Sequence, residues 1–275
     1  MGLFGIGVAG NFAGHLEQAG ESADFVNVSA EPEAPKGIFP FHVPGDDGFL
    51  GVDPLSSETI LLPQSDSPLD LQIEPEVGVL LEVDYDGGTV VGIAPREIGA
   101  FNDCSIRREG ATKISQKKNW GACSKGFAEQ TIPVKEIDAD GFTRSFRLAS
   151  FLRRGDESFA YGVDSALPDY SFYGRRLLEW MVDKLNSQRG DEGTPLEDVG
   201  AMLDRCGQPD RILAGIGATR YTEFGQSNFL MPGDESIVIV YDSAVSTPED
   251  VAAAVDSRDE HALSSASVLC QLVSS

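Results

Sequence analysis

Two glutamates separated by one residue, Glu74 and Glu76, are the side chains of this sequence best placed to share a chemical task. They stand at the head of a predicted strand, and the two-residue period of a strand sends both side chains to the same face. Two carboxylates held that close raise one pKa unless a cation or a proton lies between them. The pair therefore predicts a metal site or an acid–base dyad, although most isolated E-x-E pairs are solvated strand edges.

A third carboxylate, Asp103, follows the second of two apolar runs, in the segment AFNDCSIRR. The two runs are joined around Asp86, Gly87 and Gly88, which is a strong β-hairpin signal. A turn after the second run would bring Asp103 back toward the start of the first. Three hard oxygen ligands suit Mg²⁺ or Mn²⁺, and the absence of a His or Cys cluster in the sequence argues against zinc.

The elements before the hairpin are less regular. Residues 3 to 9 predict a buried strand, and the following NFAGHLEQAG predicts a short helix that carries His15. The stretch from residue 29 to residue 53 is rich in Pro and Gly and predicts an ordered, wandering loop or lid. A linker between two domains is the alternative reading of that stretch, but its apolar residues disfavour a solvated tether.

The second half of the chain predicts three helices and two further strands. RLLEWMVDKL places five apolar residues on one helical stripe: Leu177, Leu178, Met181, Val182 and Leu185. Two more helix starts are indicated by capping boxes, at 194–197 and 247–250. RILAGIG and SIVIVYD predict strands. Because strands and helices do not alternate regularly, a mixed and mostly antiparallel sheet is favoured over a doubly wound one.

A series of motifs in this sequence resembles those of the fumarylacetoacetate hydrolase superfamily, in the family's order, from residue 5 to about residue 242. NFAGHLEQAG is similar to the family's N-Y-x-x-H-x-x-E, IEPEVGVLLEV to E-x-E-L, FNDCSIR to N-D-x-S-x-R, SKGF to its K-s-F, and GATRYTEFGQSNFLMPGDESIVIV to its G-T-P-x-G and f-L-x-P-G-D segments. The chain is thus identified as a divergent member. The resemblance implies an α+β, mainly β fold, a mixed β-roll with barrel-like curvature and a few short helices.

The resemblance also implies one catalytic domain over residues 1–275. Residues 1–70 would supply the N-terminal strand, the histidine-bearing helix and the lid-like loop, and residues 71–275 the metal-binding β core. The roles implied are metal ligation of Mg²⁺ or Mn²⁺ by Glu74, Glu76 and Asp103, general base catalysis by His15, a substrate-facing cation at Lys125, and substrate binding by Arg107, Thr219 and Tyr221. A homodimer is the expected assembly.

One departure from the family's pattern bears on the reaction. Gln18 stands where the family has the glutamate that orients the histidine. An amide can accept a hydrogen bond from the imidazole of His15 but does not stabilise an imidazolium electrostatically, which weakens the expectation of hydrolysis. C–C bond hydrolysis, decarboxylation and isomerisation of small keto acids or 1,3-dicarbonyl acids share a metal-bound enolate, so the intermediate is predicted more firmly than the reaction.

Two other function classes stay open. The first is a catalytically inactive relative that binds a ligand, for which Gln18 is the main argument. The second is an NAD(P)-binding oxidoreductase, because Gly5, Gly7 and Gly10 spell G-x-G-x-x-G between a predicted strand and helix, with Glu31 near the position of a ribose-binding acid. Against it, no further βαβ units follow.

The amino-acid composition limits the classes of partner that the protein is expected to bind. The formal charge of −23, from 44 acids against 21 bases, repels nucleic acid and anionic membrane surfaces. The sequence has no basic leader and no apolar run approaching the roughly 20 residues that span a bilayer. The sequence therefore predicts a cytoplasmic enzyme whose partner is a small anionic keto acid, with neither nucleic acid nor membrane involved.

Overall fold

The structure of the chain is a computed structural model that describes residues 3–275 except 27, 29, 32, 66–68, 108–109 and 191–192. The strands in this part of the chain are β1 Phe4–Ala9, β2 Gly37–His42, β3 Thr59–Leu61, β4 Leu71–Gln72, β5 Pro75–Asp86, β6 Thr89–Asn102, β7 Ser105–Ile106, β8 Gly126–Phe127, β9 Ile132–Pro133, β10 Phe146–Arg154, β11 Glu157–Ala166, β12 Arg211–Gly215, β13 Glu235–Asp242 and β14 Ala266–Ser274. The α-helices are α1 His15–Gln18, α2 Ser115–Lys118, α3 Gly174–Ser187, α4 Val199–Arg205, α5 Glu223–Ser227 and α6 Pro248–Ser257. None of the helices described is long and apolar enough to cross a membrane.

Two large sheets form the architecture. The first has the order β2-β1-β12-β5-β6-β8, with β9 also paired to β6, and the second has the order β11-β10-β13-β14-β3. Only the pairs β1–β12 and β14–β3 are parallel among these described strands. The predicted mixed, mostly antiparallel and mainly β fold is confirmed.

The long hairpin at the centre of the first sheet is formed by β5 and β6. Asp86 pairs with Thr89 at its tip, so Gly87 and Gly88 make the two-residue turn. Both glycines have positive φ angles, 55° and 89°, as the hairpin turn that matches the natural twist of the strands requires. The hairpin predicted from these residues is confirmed.

The helix predicted at RLLEWMVDKL is α3, which packs against β6 and β2. Of the five residues on the predicted stripe, Leu177, Met181 and Leu185 are buried, while Leu178 and Val182 are partly buried and pack against the same core. Complete burial of side chains of this size contributes roughly 1.5–3 kcal/mol each. The same apolar core includes residues from Phe4 to Val273, so both the N-terminal segment and the β core contribute to it.

The stretch 29–53 is not the continuous loop that its composition predicted, although residues 29 and 32 lie outside the described part. Within it, β2 pairs antiparallel with β1 and is buried along its whole length. Pro40 is tolerated because β2 is the edge strand of its sheet, where a missing backbone donor leaves no ladder partner unsatisfied. Proline density therefore misled the prediction for an edge strand.

One of the two predicted capping boxes is wrong and the other is confirmed. No helix begins at Thr194. The backbone carbonyls of Thr194 and Leu196 instead accept hydrogen bonds from Lys113 Nζ at 2.9 and 2.6 Å. Helix α4 starts later, with Asp198 as its cap. At α6 the box between Thr247 and Asp250 is complete.

Candidate active site

The three predicted carboxylates meet in one place, and we call them the acidic triad. Glu74, Glu76 and Asp103 each offer an oxygen that lies within 4.8 Å of the others, and all three side chains are buried. Glu74 directly precedes β5, Glu76 lies within it, and Asp103 follows β6. The backbone N–H of Asp103 donates to the Glu74 carbonyl at 2.9 Å, which returns the chain to the start of the hairpin as predicted.

Two glycines of the β12 segment make room for the Glu76 carboxyl. A Cβ at Gly215 would lie 2.4 Å from Glu76 Oε2, so only glycine fits at that position. Gly217 adopts a φ of 114° and donates its N–H to the same oxygen at 2.9 Å. The side chain is thus aimed into the triad by the backbone around it.

A lysine that the sequence did not single out lies inside the triad. Lys118, on α2, places Nζ 2.5 Å from Glu74 Oε2 and 2.6 Å from Asp103 Oδ2. Its side chain is only 3% exposed. In the sequence, the adjacent pair Lys117 and Lys118 is typical of a solvated surface. The only indication that a lysine lies in the site was indirect, because a buried triad of carboxylates needs compensating positive charge.

Two further cations surround the triad, and we call the six residues together the charged cluster: Glu74, Glu76, Asp103, Arg107, Lys118 and Lys125. Lys125 is fully buried, with Nζ 2.8 Å from Asp103 Oδ1 and donating to the Cys104 carbonyl at 2.9 Å. Arg107 lies 3.1 Å from Glu74 Oε1 and also donates to Glu21, Gln72 and the Tyr221 hydroxyl. Both predicted residues therefore reach the site.

These contacts are close in distance but only partly aligned as hydrogen bonds. Both oxygens of Asp103 and Oε1 of Glu74 accept no aligned hydrogen bond from any described residue, although cations lie 2.6 to 3.1 Å away. The short distances establish ion pairs, whereas the directional requirement of a hydrogen bond is not met. Buried polar atoms without aligned partners are uncommon and are a feature of functional sites.

The electrostatic environment separates the two glutamates. Burial alone would raise the pKa of Glu74, but the ammonium of Lys118 and the guanidinium of Arg107 hold that pKa well below its usual range. Burial and the neighbouring Asp103 carboxylate raise the pKa of Glu76 well above its usual range. Burial would lower the pKa of Lys118, yet Asp103 and Glu74 raise it. Glu74 and Lys118 therefore form an ionised pair, while Glu76 holds a proton more readily.

His15 is buried beside the triad with a defined tautomer. Its Nδ1 lies 2.9 Å from the Thr219 carbonyl oxygen, which can only accept a hydrogen bond, so Nδ1 carries the proton in the neutral ring. Nε2 then has a free lone pair and lies 3.8 Å from Glu74 Oε2. The Tyr221 ring packs against the imidazole, with centroids 5.2 Å apart.

Gln18 does not fill the orienting role that its position in the motif suggested. Its side chain donates to the Tyr221 carbonyl at 3.3 Å and accepts from the Tyr221 N–H at 2.9 Å. Both the oxygen and the nitrogen of the Gln18 amide are thus bound to the backbone of Tyr221. The partner that orients the His15 ring is the Thr219 carbonyl. Thr219 Oγ1 is buried and makes no hydrogen bond to a described residue.

The triad matches Mg²⁺ or Mn²⁺ in donor type, but it does not fit the ion while Lys118 is in place. Bonds from Mg²⁺ to oxygen are about 2.0–2.1 Å long. Lys118 Nζ is already within 2.6 Å of two of the oxygens that the ion would need. An ion bound to those oxygens would lie close to the Lys118 ammonium, and two positive charges that close together repel strongly in a buried site. The predicted meeting of the three carboxylates is confirmed, while an ion and this position of Lys118 exclude each other.

The sequence matches a family of unknown function, DUF5718, over residues 21–273. The chain belongs to this family. No curated protein matches it. Among solved structures, a putative HpcE protein from Mycobacterium smegmatis is similar, with a TM-score of 0.53 and 16% identity over 100% of this chain and 75% of the other. Looser likenesses are a 2-keto-3-deoxyarabinonate dehydratase (TM-score 0.49, 16% identity, 98% and 73% covered) and a putative fumarylacetoacetate hydrolase family protein from Yersinia pestis CO92 (0.44, 12%, 87% and 89%).

At these identities the structural likeness establishes the fold alone. The predicted resemblance to the fumarylacetoacetate hydrolase superfamily is confirmed at that level: this DUF5718 member is a divergent chain with that fold. The architecture places the triad on the central hairpin of the first sheet, where β5 begins and β6 ends. The chemistry at that position depends on the side chains of this chain.

The N-terminal glycine motif has a packing explanation. Gly5 and Gly7 lie inside β1, where a Cβ would lie 2.1 Å from the Phe41 ring and 2.2 Å from the Phe39 ring. A dinucleotide fingerprint instead needs its glycines in the turn between a strand and a helix whose N-terminus faces the pyrophosphate. Here a four-residue helix follows. The geometry does not support the oxidoreductase alternative.

Proposed function

We propose that the protein is an enzyme that acts on small keto acids or 1,3-dicarbonyl acids through an enolate formed at the charged cluster. The observation that carries the proposal is the lone pair of His15 Nε2, held by the Thr219 carbonyl on the other ring nitrogen and directed at the Glu74–Lys118 pair. A base beside a buried cation is the arrangement that removal of a proton next to a carbonyl requires.

Lys118 is the group that would stabilise the developing charge. Its ammonium donates to Glu74 Oε2 at 2.5 Å and, over a longer 3.3 Å, to the Asp103 carbonyl, and it forms an ion pair with the Asp103 carboxylate at 2.6 Å. The ammonium has three N–H donors, so one of them could be given to a substrate oxygen. Arg107, which contacts Glu74 and the Tyr221 hydroxyl, adds positive charge for a substrate carboxylate.

His15 would take the proton from the carbon next to the carbonyl. Nε2 becomes protonated, Nδ1–H remains bonded to the Thr219 carbonyl, and the carbonyl oxygen of the substrate becomes the enolate oxygen beside Lys118. Glu74, ionised and near Nε2, stabilises the imidazolium in the role that the missing glutamate at position 18 would otherwise fill. Return of the proton to carbon or oxygen completes an isomerisation. In C–C bond hydrolysis or decarboxylation the electron pair of the broken C–C bond would form the same enolate, which is then protonated at carbon.

Entry of a substrate requires movement, because His15 and every residue of the charged cluster except Arg107 are buried. His15 lies on α1, which has only four residues. A displacement of this short segment would open the site. The proposal also includes a homodimer, a small anionic partner and a single catalytic domain over 1–275, with its N-terminal part at 1–70 and its β core at 71–275.

Exchange of substrate protons with solvent tests the enolate without assuming an overall reaction. Pyruvate, oxaloacetate and an acylpyruvate would be incubated with the protein in D₂O, and loss of the protons next to the keto group followed by NMR. We expect protein-dependent exchange that His15→Asn abolishes and His42→Asn, a change at a second buried histidine on β2, preserves. Absence of exchange and of turnover with all three compounds would favour the inactive, ligand-binding relative.

A metal-dependent form is the second candidate. It is favoured by the three oxygens, both of Asp103 and one of Glu74, that accept no aligned hydrogen bond. If Lys118 withdrew, Glu74, Glu76 and Asp103 would hold Mg²⁺ or Mn²⁺ and the ion would supply Lewis acidity. Repeating the exchange with EDTA separates the two forms, because only a metal-dependent enzyme loses activity.

A further inference from the structure

We infer that Lys118 is a built-in cation that takes the place of a divalent metal ion in the acidic triad, so that the wild-type site excludes the ion. The inference rests on the proposed function and goes beyond it by stating that Lys118 replaces a metal ion. Its test measures ion binding, so it can fail while the keto-acid chemistry stands, and the reverse also holds.

Charge balance within the charged cluster is the first argument. Three carboxyl groups face three cationic side chains, so the cluster needs no ion for its charges to balance. A divalent ion would add two positive charges to residues that are almost wholly removed from water, where charge is expensive to bury without a partner. A triad that required an ion would be expected to leave its negative charge unneutralised.

The position of Lys118 is the second argument, because it is fixed by contacts on both sides of α2. Ile114 donates its N–H to the Pro195 carbonyl at 3.0 Å. Asn119 donates its side-chain amide to the carbonyls of Phe41 and Val52 at 2.8 and 3.0 Å. The Lys118 ammonium also lies 5.5 Å from the centre of the Phe39 ring, a favourable cation–π distance. The lysine is therefore held between Glu74 and Asp103 by the fold around it.

Manganese binding to the purified protein tests the inference. Mn²⁺ would be titrated into wild type, Lys118→Met and the matched control Lys117→Met, with free Mn²⁺ followed by electron paramagnetic resonance. Lys117 is the adjacent residue on α2, and its described ion pair is with Glu21 instead of the triad. We expect no binding tighter than about 1 mM to wild type or Lys117→Met, and at least about 100-fold tighter binding to Lys118→Met, since the repulsion is gone.

Thermal unfolding with and without Mn²⁺ covers a variant that is too unstable to titrate. Mn²⁺ should raise the Tm of Lys118→Met and leave that of wild type unchanged, because a ligand stabilises only the state that binds it. Lys118→Arg, which keeps the charge, should behave as wild type. Stoichiometric micromolar binding to wild type would overturn the inference, as would a Lys118→Met protein that neither binds Mn²⁺ nor is stabilised by it.

Discussion

Two clusters of charged residues in this molecule differ in how completely their charged groups are hydrogen-bonded. In the second sheet, Arg153 on β10 donates to both oxygens of Glu260 at 3.0 and 3.1 Å, to Glu235, and to the Val255 carbonyl at 2.7 Å. We call Arg153, Glu235 and Glu260 the Arg153 cluster. One guanidinium is saturated by aligned acceptors, which is the arrangement expected of a group that only holds elements together.

The charged cluster of the first sheet has more ions and fewer aligned bonds. Three cations contact Glu74 and Asp103, yet three of the four oxygens of these carboxylates accept no aligned hydrogen bond. A histidine with a free lone pair lies beside them. In a structural ion cluster the charged groups are saturated with aligned hydrogen bonds, whereas a cluster with unsatisfied oxygens can still bind a ligand. Matched substitutions in the two clusters test this difference.

The largest expected contrast is catalytic. His15→Asn should reduce enolate-dependent turnover by about 10²–10⁴-fold, the usual contribution of a general base. Arg153→Lys, in the other cluster, should leave turnover within about twofold of wild type, since it lies in the second sheet and has no described contact with the charged cluster. Steady-state kinetics with the best keto acid from the exchange assay provides the measurement. Equal losses in the two variants would erase the distinction.

Loss of a cation should lower the stability of the protein by a similar amount in either cluster, so only the effect on catalysis should differ between the two. Lys118→Met leaves Glu74 and Asp103 short of a cation, and Arg153→Met leaves Glu260 buried without one. Each should lower the free energy of unfolding by roughly 3–5 kcal/mol, the usual cost of breaking a buried ion pair. Urea denaturation gives both values. Adding Asp103→Asn to Lys118→Met should recover part of the loss, because one uncompensated charge is removed.

Glu197 belongs to neither cluster and should show a pH dependence of its own. Burial raises its pKa to about 7, above the ordinary value of 4.5. An acid whose folded pKa is raised contributes stability below its unfolded pKa, and that contribution is lost as the pH rises through the folded value. The loss should reach about 3 kcal/mol between pH 4.5 and 7.

Urea unfolding of wild type and Glu197→Gln at pH 5 and pH 8 measures this effect. The amide cannot ionise, so the advantage of wild type over the variant should shrink on going to pH 8. A difference between the two proteins that is constant with pH would contradict the assignment.

Gln18 gives the smallest expected effect. Gln18→Ala removes two hydrogen bonds to the Tyr221 backbone and should cost about 1–2 kcal/mol of stability. Gln18→Glu restores the residue of the family's motif, but it loses the donor to the Tyr221 carbonyl. We therefore expect Gln18→Glu to lower kcat modestly or leave it unchanged. A clear gain in kcat would indicate that position 18 does orient His15.

Local patterns explain which features the sequence predicted. Three features depend on the period of a strand or helix, or on a turn, and these are properties of consecutive residues. They are the hairpin at Gly87 and Gly88, the stripe on α3 and the meeting of Glu74 with Asp103. Strand β2 was missed because Pro40 is compatible with a strand only at a sheet edge, and edge position is a property of the complete sheet.

Lys118 could not be predicted for a related reason. Its role depends on where the four-residue helix α2 is anchored, through Ile114 and Asn119, to segments far away in the chain. A lysine in a polar segment has the same local pattern whether it ends in solvent or among carboxylates. The acidic triad was therefore accessible from spacing, whereas the group that neutralises it required the tertiary structure.

A crystal structure of the wild-type protein grown with excess Mn²⁺, with data collected at the manganese absorption edge, would show whether Lys118 or an ion occupies the triad. We expect Lys118 Nζ between Glu74 and Asp103 and no anomalous peak among the carboxylates of the triad. A strong peak bonded to Glu74, Glu76 and Asp103, with Lys118 turned away, would contradict this expectation.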